Sequence, residues 1–109
     1  MPDSIPSVIA RFMDAAAIRD YDTIGECFTE DATVFDEQGT HRGQGEIRQW
    51  QRDTRAKWDY TVTIAGGQPA DANEYRLAAH LKGNFPGGEA DVEYRFTIRD
   101  GRISSLRIA

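Results

Sequence analysis

The chain has 109 residues, of which 39% are hydrophobic and 28% charged, as expected for one globular domain with its own core over residues 1–109. Its formal net charge of -5 argues against general nucleic-acid binding, and no apolar segment is long enough to span a membrane. The single cysteine, Cys27, excludes an internal disulfide, and the first residues lack the features of a secretory signal, so we expect a cytoplasmic protein.

Two helices are predicted at the start of the chain. From Ser4 to Asp20, apolar residues recur at the three- and four-residue spacings of an amphipathic helix. Asp20 or Asp22 then caps a shorter helix, which is predicted to end near Thr29. Because the connection between the two helices is short, we expect them to pack against each other.

A strand and a third helix follow. Between Ala32 and Asp36, β-branched and aromatic residues alternate with period two, so Val34 and Asp36 share one face of a predicted strand. Glu37–Gly39 is predicted to be a turn. The third helix is predicted from about Glu46 to Lys57. Its narrow apolar stripe consists of Ile47, Trp50, Thr54 and then Trp58, and its arginines Arg48, Arg52 and Arg55 are expected on a solvated face.

From Asp59 onward, the sequence predicts a meander of antiparallel strands. Turns are predicted at Gly66–Gly67, Pro86–Gly88 and Asp100–Gly101. Apolar and polar residues alternate between these turns, which is typical of a sheet with helices on one face only, the α+β class. The apolar face is predicted to carry Tyr60, Val62, Ile64, Tyr75, Leu77, Ala79, Leu81, Val92, Tyr94, Phe96 and Ile98.

Three segments of the chain occur in an order that is typical of one known fold. They are Phe28–Val34, Arg42–Ile47 and Tyr94–Ile103. In this order the chain resembles the nuclear transport factor 2-like superfamily, particularly its SnoaL-like (polyketide-cyclase-like) and ketosteroid-isomerase-like members. The resemblance implies an α+β, cystatin-like fold, in which a cone-shaped, curved antiparallel sheet packs on three N-terminal helices. It also implies a homodimer, often formed through the outer face of the sheet.

The same resemblance implies a pocket between the concave face of the sheet and the first helix. An aromatic lining would suit a small apolar or aromatic organic ligand. The alternative is that these aromatic side chains only fill the core. The candidate wall residues are Phe12, Trp50, Trp58, Tyr60, Tyr75 and Phe96.

Asp36 is the candidate catalytic residue. A carboxylate at the end of an apolar strand would be poorly solvated and a stronger base than a surface aspartate. In ketosteroid-isomerase-like proteins, the strand-end aspartate that corresponds to Asp36 moves a proton beside a carbonyl group. The helix 1 hydroxyl donor of that family corresponds here to Phe12, which has no donor, and Tyr94 falls close to the second donor. The alternative is that Asp36 caps the following turn.

Two histidines are further candidate acids or bases. Strand alternation places His80 on the outer face of the sheet, whereas a bulge would turn it inward to pair with Asp36. His41 lies either at the mouth of the cone or in solvent.

Neither a metal nor a cofactor is expected. The histidines and Cys27 lack the spacing of a metal site, and the glycines lack the spacing of a phosphate-binding loop. The sequence therefore indicates a small-ligand-binding SnoaL-like protein, acting as a cofactor-free isomerase, cyclase or dehydratase with Asp36 as general base. The alternative is a non-catalytic binding or protein-interaction module of the same fold.

Overall fold

Three helices and six strands make up the part of the chain described by the computed structural model, which is residues 5–36 and 39–109. In chain order they are α1 (Ser7–Ala17), α2 (Tyr21–Glu26), β1 (Phe28–Asp36), β2 (Gly39–Arg42), α3 (Gly43–Lys57), β3 (Tyr60–Asp71), β4 (Glu74–Gly83), β5 (Glu89–Arg99) and β6 (Arg102–Ile108). Among these helices, none combines the length and the apolar character that crossing a membrane requires.

The six strands form one sheet in the order β2-β1-β6-β5-β4-β3. Neighbouring strands are antiparallel except β1 and β6, which run parallel. Register shifts within β1 and β3 are bulges of the kind that bend a sheet. The predicted fold class is therefore confirmed: the sheet is curved and unclosed, and one parallel pairing adds the first strand to the antiparallel meander.

The second helix is shorter than predicted. It ends at Glu26, and Phe28 begins β1 instead of lying on the helix. Phe28 pairs with Ile103 of β6, whose N–H donates to the Cys27 carbonyl at 2.8 Å. Because of this long-range pairing, β1 begins at Phe28, a residue that was predicted to belong to the last turn of the helix. The predicted cap is confirmed as Asp20, which accepts hydrogen bonds from the backbone N–H and the hydroxyl of Thr23.

The predicted turn at Gly66–Gly67 is wrong. Strand β3 continues through both glycines to Asp71, and the chain turns at residues 72–73. A Cβ atom at Gly67 would lie 2.5 Å from the hydroxyl oxygen of Tyr75 on β4, so this glycine leaves room for the Tyr75 side chain. The other two predicted turns of the meander are confirmed. The predicted start of helix 1 at Ser4 and most of the Glu37–Gly39 turn lie outside the described residues.

The predicted alternation in β4 and β5 is confirmed. Tyr75 and Leu77 are buried and pair with the buried Phe96 and Tyr94 of the neighbouring strand. Helix α1 covers this face with Phe12, whose ring makes edge-to-face contacts with Phe28 and Phe96 at centroid distances of 5.4 and 6.0 Å. Such contacts stabilise aromatic pairs beyond simple burial. One aromatic side chain of α1 thus joins the helical half of the chain to the meander.

The predicted apolar stripe of α3 is partly wrong. Ile47 and Trp50 are buried as expected, but the stripe then continues through Gln51 and Arg55. Arg55 therefore does not lie on the expected solvated face. Its guanidinium donates hydrogen bonds to two backbone carbonyls inside the protein, and these bonds offset part of the cost of burying the charge.

We expect Gly83→Ala to destabilise the fold by about 2 kcal/mol or more, because overpacking forces side chains and backbone to move. A Cβ atom at Gly83 would overlap the backbone of Asp59 and Tyr60 on the adjacent chain segment. The matched control is Gly66→Ala on β3, where a Cβ atom meets no atom within 4 Å; its free energy of unfolding should stay within about 0.5 kcal/mol of the wild type. Urea denaturation measures both, and equal losses would contradict this account.

Candidate functional site

A cavity of about 320 Å³ lies between α1, α3 and the first half of β3. Helix α1 contributes Phe12, Met13 and Ala16 to its wall, and β3 contributes Val62 and Ile64. These side chains give the cavity a largely apolar surface. Ile64 is one of the few exposed large hydrophobic residues of the described chain, so the apolar wall continues to the protein surface.

Six polar side chains of the described residues also line this wall. Asp14 of α1 and Thr61 of β3 are exposed, whereas Gln51 and Arg55 of α3, Tyr60 of β3 and Tyr94 of β5 are buried or half-buried. The Arg55 guanidinium donates to the Tyr60 carbonyl through Nη1 at 2.7 Å and to the Ala16 carbonyl through Nη2 at 3.3 Å. It also lies 4.0 Å from the centroid of the Tyr60 ring, within the range of a cation–π interaction. Arg55 therefore links α1, α3 and β3 at the cavity.

The two tyrosines of the cavity are uncharged at neutral pH. Burial raises the pKa of Tyr94 strongly, and the neighbouring Tyr60 adds to this effect while Arg55 opposes it. Burial also raises the pKa of Tyr60, with Arg55 opposing the rise and Asp36 adding to it. Both phenols therefore keep their protons and can act as hydrogen-bond donors.

Asp36 lies at the end of β1, beside this cavity but not among its lining residues. Its side chain is only 13% exposed. The indole N–H of Trp50 donates to Asp36 Oδ2 at 2.7 Å, and His41 Nε2 lies 3.4 Å from Asp36 Oδ1. The His41 ring also stacks on Trp50, with 5.7 Å between ring centroids. A carboxylate, an imidazole and an indole thus form a partly buried cluster between the β1–β2 hairpin and α3.

Only some of the residues predicted to form the pocket or to donate hydrogen bonds in it line the cavity. Phe12, Tyr60 and Tyr94 line the cavity, whereas the other predicted residues do not. Trp50 bonds to Asp36, and Trp58 is half-buried just after α3. The remaining two, Tyr75 and Phe96, are buried in the core.

Asp36 pairs with a histidine, but with His41 and not with His80 as the sequence alternative had it. Strands β4 and β5 pair without a bulge around His80, which keeps this residue on the outer face. There His80 contacts Asp91 Oδ1 at 2.7 Å and Glu89 Oε1 at 2.9 Å. Hydrogen bonds to Asp91 and then Glu89 raise its pKa, which favours a surface imidazolium. The inward-facing alternative for His80 is therefore wrong.

The pairing of His41 with Asp36 follows from the register of the β1–β2 hairpin. Val34 lies opposite His41, and Asp36 shares the face of Val34. Counting outward from the turn would have placed His41 diagonal to Asp36, a distance that side chains can bridge. For Gln51 and Arg55, the local signal was their spacing of four and eight residues from Ile47, which places them on the buried side of α3, although their polarity predicts a solvated position. Within residues 5–36 and 39–109, no group of three or more potential ligands could hold a metal ion.

Comparisons with known proteins agree on one family. A family model described as a SnoaL-like domain matches residues 9–106. A solved protein from Sinorhizobium meliloti, described as a candidate polyketide cyclase, is 30% identical with a TM-score of 0.95, and the match covers 100% of this chain and 99% of that one. No curated protein sequence matches this chain significantly.

More distant structures share the fold. A protein from Catenulispora acidiphila with a ketosteroid isomerase-like fold, in complex with trimethylamine, is 22% identical with a TM-score of 0.84, over 97% of this chain and 86% of that one. TerC, co-crystallised with polyporic acid, is 13% identical with a TM-score of 0.82, over 94% of this chain and 87% of that one. At these identities the likeness establishes the fold alone.

We expect Trp50→Phe to lower the free energy of unfolding by about 1–3 kcal/mol, because the Asp36 carboxylate loses a buried donor. Trp58→Phe is the matched control, since its indole N–H donates to no described residue, and its loss should be clearly smaller. Urea denaturation of both variants gives the comparison. A double-mutant cycle with Asp36→Asn should show coupling between the two side chains. Equal losses for the two tryptophans, or no coupling, would contradict the structural role of this bond.

Proposed function

Because this chain belongs to the SnoaL-like domain family, we propose that it binds a small, flat, largely apolar organic molecule in the cavity between α1, α3 and β3. The observation that carries this proposal is the composition of the wall, in which apolar side chains line much of the space and a few buried or half-buried polar side chains, among them Arg55 and Tyr94, reach it. Ligand sites commonly combine an apolar lining with a few orienting polar groups. The structural relative TerC was crystallised with an organic acid, which supports a ligand of this general kind.

The volume of the cavity limits the size of the ligand. At about 320 Å³, it lies near the lower end of the range for small-molecule sites, which begins at roughly 300 Å³. A molecule of one or two fused rings would match this space. Phe12 and Tyr60 would contact the faces or edges of such rings, and Tyr94 would donate a hydrogen bond to an oxygen atom.

We expect Ala17→Trp to weaken this binding. Ala17 is exposed and lines the cavity, so an indole at this position would fill the opening. With β-naphthol as the probe, amide NMR spectra of the wild type should shift at cavity residues, and the affinity of the variant should fall about tenfold or more. The matched control, Ala56→Trp, places an indole at an exposed position of α3 away from the cavity and should bind like the wild type.

If Ala17→Trp and Ala56→Trp bind β-naphthol equally, the ligand does not bind in this cavity. Shifts confined to residues remote from the cavity would do the same. Thermal unfolding of both variants provides the necessary check that each is folded.

A second candidate function is cofactor-free proton transfer with Asp36 as general base. The observation that favours it is the cluster of Asp36, His41 and Trp50, in which an indole N–H fixes the carboxylate and an imidazole lies next to it. Such a pair can accept a proton from carbon and pass it on. Tyr94 would act as the hydrogen-bond donor to the substrate oxygen, as its protonated state allows. The non-catalytic alternative would use the cavity for binding alone.

We expect the wild type to accelerate deuterium exchange at the carbon next to the carbonyl of β-tetralone in heavy water, because a positioned base typically contributes about 100-fold or more. Asp36→Asn should remove most of this acceleration while leaving β-naphthol binding intact. Asp53→Asn, an exposed substitution on α3, is the control and should exchange like the wild type. If the wild type and Asp36→Asn exchange β-tetralone equally, the non-catalytic binding module is the better description.

Two further expectations stay predictions. The first is the homodimer, and the second is the cytoplasmic location.

A further inference from the structure

Arg55 is a buried cation on the wall of the proposed ligand cavity. The residue is only 8% exposed, and among the described residues no carboxylate lies within 4.0 Å of its guanidinium. Arg11, Arg19 and Arg99 differ, because each has a carboxylate partner and lies at the surface. A buried charge without a counter-ion is costly, so the position of Arg55 requires an explanation.

The guanidinium of Arg55 is only partly satisfied. Two backbone carbonyls take one N–H each from Nη1 and Nη2. Nε is buried without a hydrogen-bond partner among the described residues. Nη1 and Nη2 each have a second N–H, which donates to none of the described residues. A carboxylate is the group that best matches such a fork of parallel N–H donors.

Gln51 adds a second unsatisfied polar group at the same place. It lies one helical turn before Arg55 on α3 and also lines the cavity. The residue is 4% exposed, and its Oε1 atom is buried without a partner among the described residues. Two neighbouring side chains that are more than nine-tenths buried thus carry unpaired atoms, the Nε–H donor of Arg55 and the Oε1 acceptor of Gln51.

The neighbouring tyrosines do not supply the missing negative charge. Tyr60 lies under the guanidinium and Tyr94 lines the same wall, but burial keeps both phenols protonated despite the nearby cation. Of the acidic groups, Asp14 lines the cavity from the solvent side of α1 and is exposed, and Asp36 is engaged with Trp50. A negative charge on the ligand would provide the counter-ion that Arg55 lacks among the described residues.

We propose that the cavity is selective for aromatic carboxylic acids, whose ring system packs against Phe12 and Val62 and whose carboxylate pairs with Arg55. This proposal rests on the ligand-binding function proposed above and names its ligand class. The protonated phenol of Tyr94 provides a further donor for the carboxylate oxygens. Selectivity arises because a neutral ligand would leave the Arg55 charge without a counter-ion.

Isothermal titration with β-naphthoate and β-naphthamide tests the charge preference on the wild-type protein. The two probes share the same rings and differ in the charge of one substituent. We expect β-naphthoate to bind about tenfold or more tightly than the amide, as for a charge-assisted pair in a buried site. Equal affinities would overturn the selectivity proposal, while β-naphthol binding in the cavity would still support the general ligand site. If none of the three probes binds, the proposed function fails as well.

Substitutions at Arg55 identify the residue responsible. Arg55→Met should remove the preference for β-naphthoate with little change in β-naphthamide affinity, and Arg55→Lys should retain part of it because the charge remains. Arg52→Met is the control, since Arg52 is an exposed arginine of the same helix and does not line the cavity. An unchanged preference in folded Arg55→Met would overturn the role of Arg55. If Arg55→Met does not fold, the role of Arg55 is judged from two results, the preference of the wild type for β-naphthoate and the reduced preference of Arg55→Lys.

Discussion

The parallel pairing of β1 with β6 is the constraint on which the rest of the architecture depends. It joins the helical first half of the chain to the end of the meander through Phe28, Val34, Ile103 and Leu106, all of which are fully buried. Closing such a long stretch of chain costs entropy, and the apolar area buried between these strands and α1 provides the compensation. Once β1 is fixed beside β6, Phe12 of α1 comes to lie between Phe28 and Phe96.

This placement explains why a cavity remains beside a well-packed core. Helix α1 is held against β1 and β5 at Phe12, whereas its last turn reaches β3 and α3 mainly through the Ala16 carbonyl and Arg55. A long polar side chain spans this gap but does not fill it as an apolar residue would. The apolar residues on the nearby part of β3 consequently face open space. Core and cavity therefore lie at two ends of the interface between α1 and the sheet. Aromatic rings around Phe12 fill the core end, and the guanidinium of Arg55 spans the cavity end.

The features that the sequence predicted well are the local ones. Alternation in β4 and β5 identified the buried Tyr75, Leu77, Tyr94 and Phe96 because side-chain direction in a strand follows directly from position. The end of α2 was misplaced because Phe28 pairs with Ile103, a partner that no local pattern reveals. The fold class was correct because several such local signals occur in an order that few folds accommodate.

The candidate site was less predictable for a physical reason. The burial of Arg55 depends on carbonyls contributed by α1 and β3. Helical spacing from Ile47 places Arg55 on the buried side of α3, but the charge of an arginine predicts a solvated position. Gly67 was interpreted as a turn residue although the reason for this glycine is the Tyr75 side chain on the next strand. By contrast, the pairing of Asp36 with His41 was accessible in principle, because hairpin register is a local property.

Helix α3 contributes residues both to the Asp36–His41 cluster and to the ligand cavity. Trp50 faces the Asp36–His41 cluster, and the next residue, Gln51, faces the cavity together with Arg55 one turn later. Since neighbouring residues on a helix point about 100° apart, one rigid element can fix a base on one side and a binding group on the other. Asp36 raises the pKa of Tyr60, which places the two regions within electrostatic reach of each other. An anionic ligand held by Arg55 would therefore lie within electrostatic reach of a carboxylate that repels it, so its binding depends on the Arg55 cation and on the neutral donors Tyr60 and Tyr94, which line the same cavity.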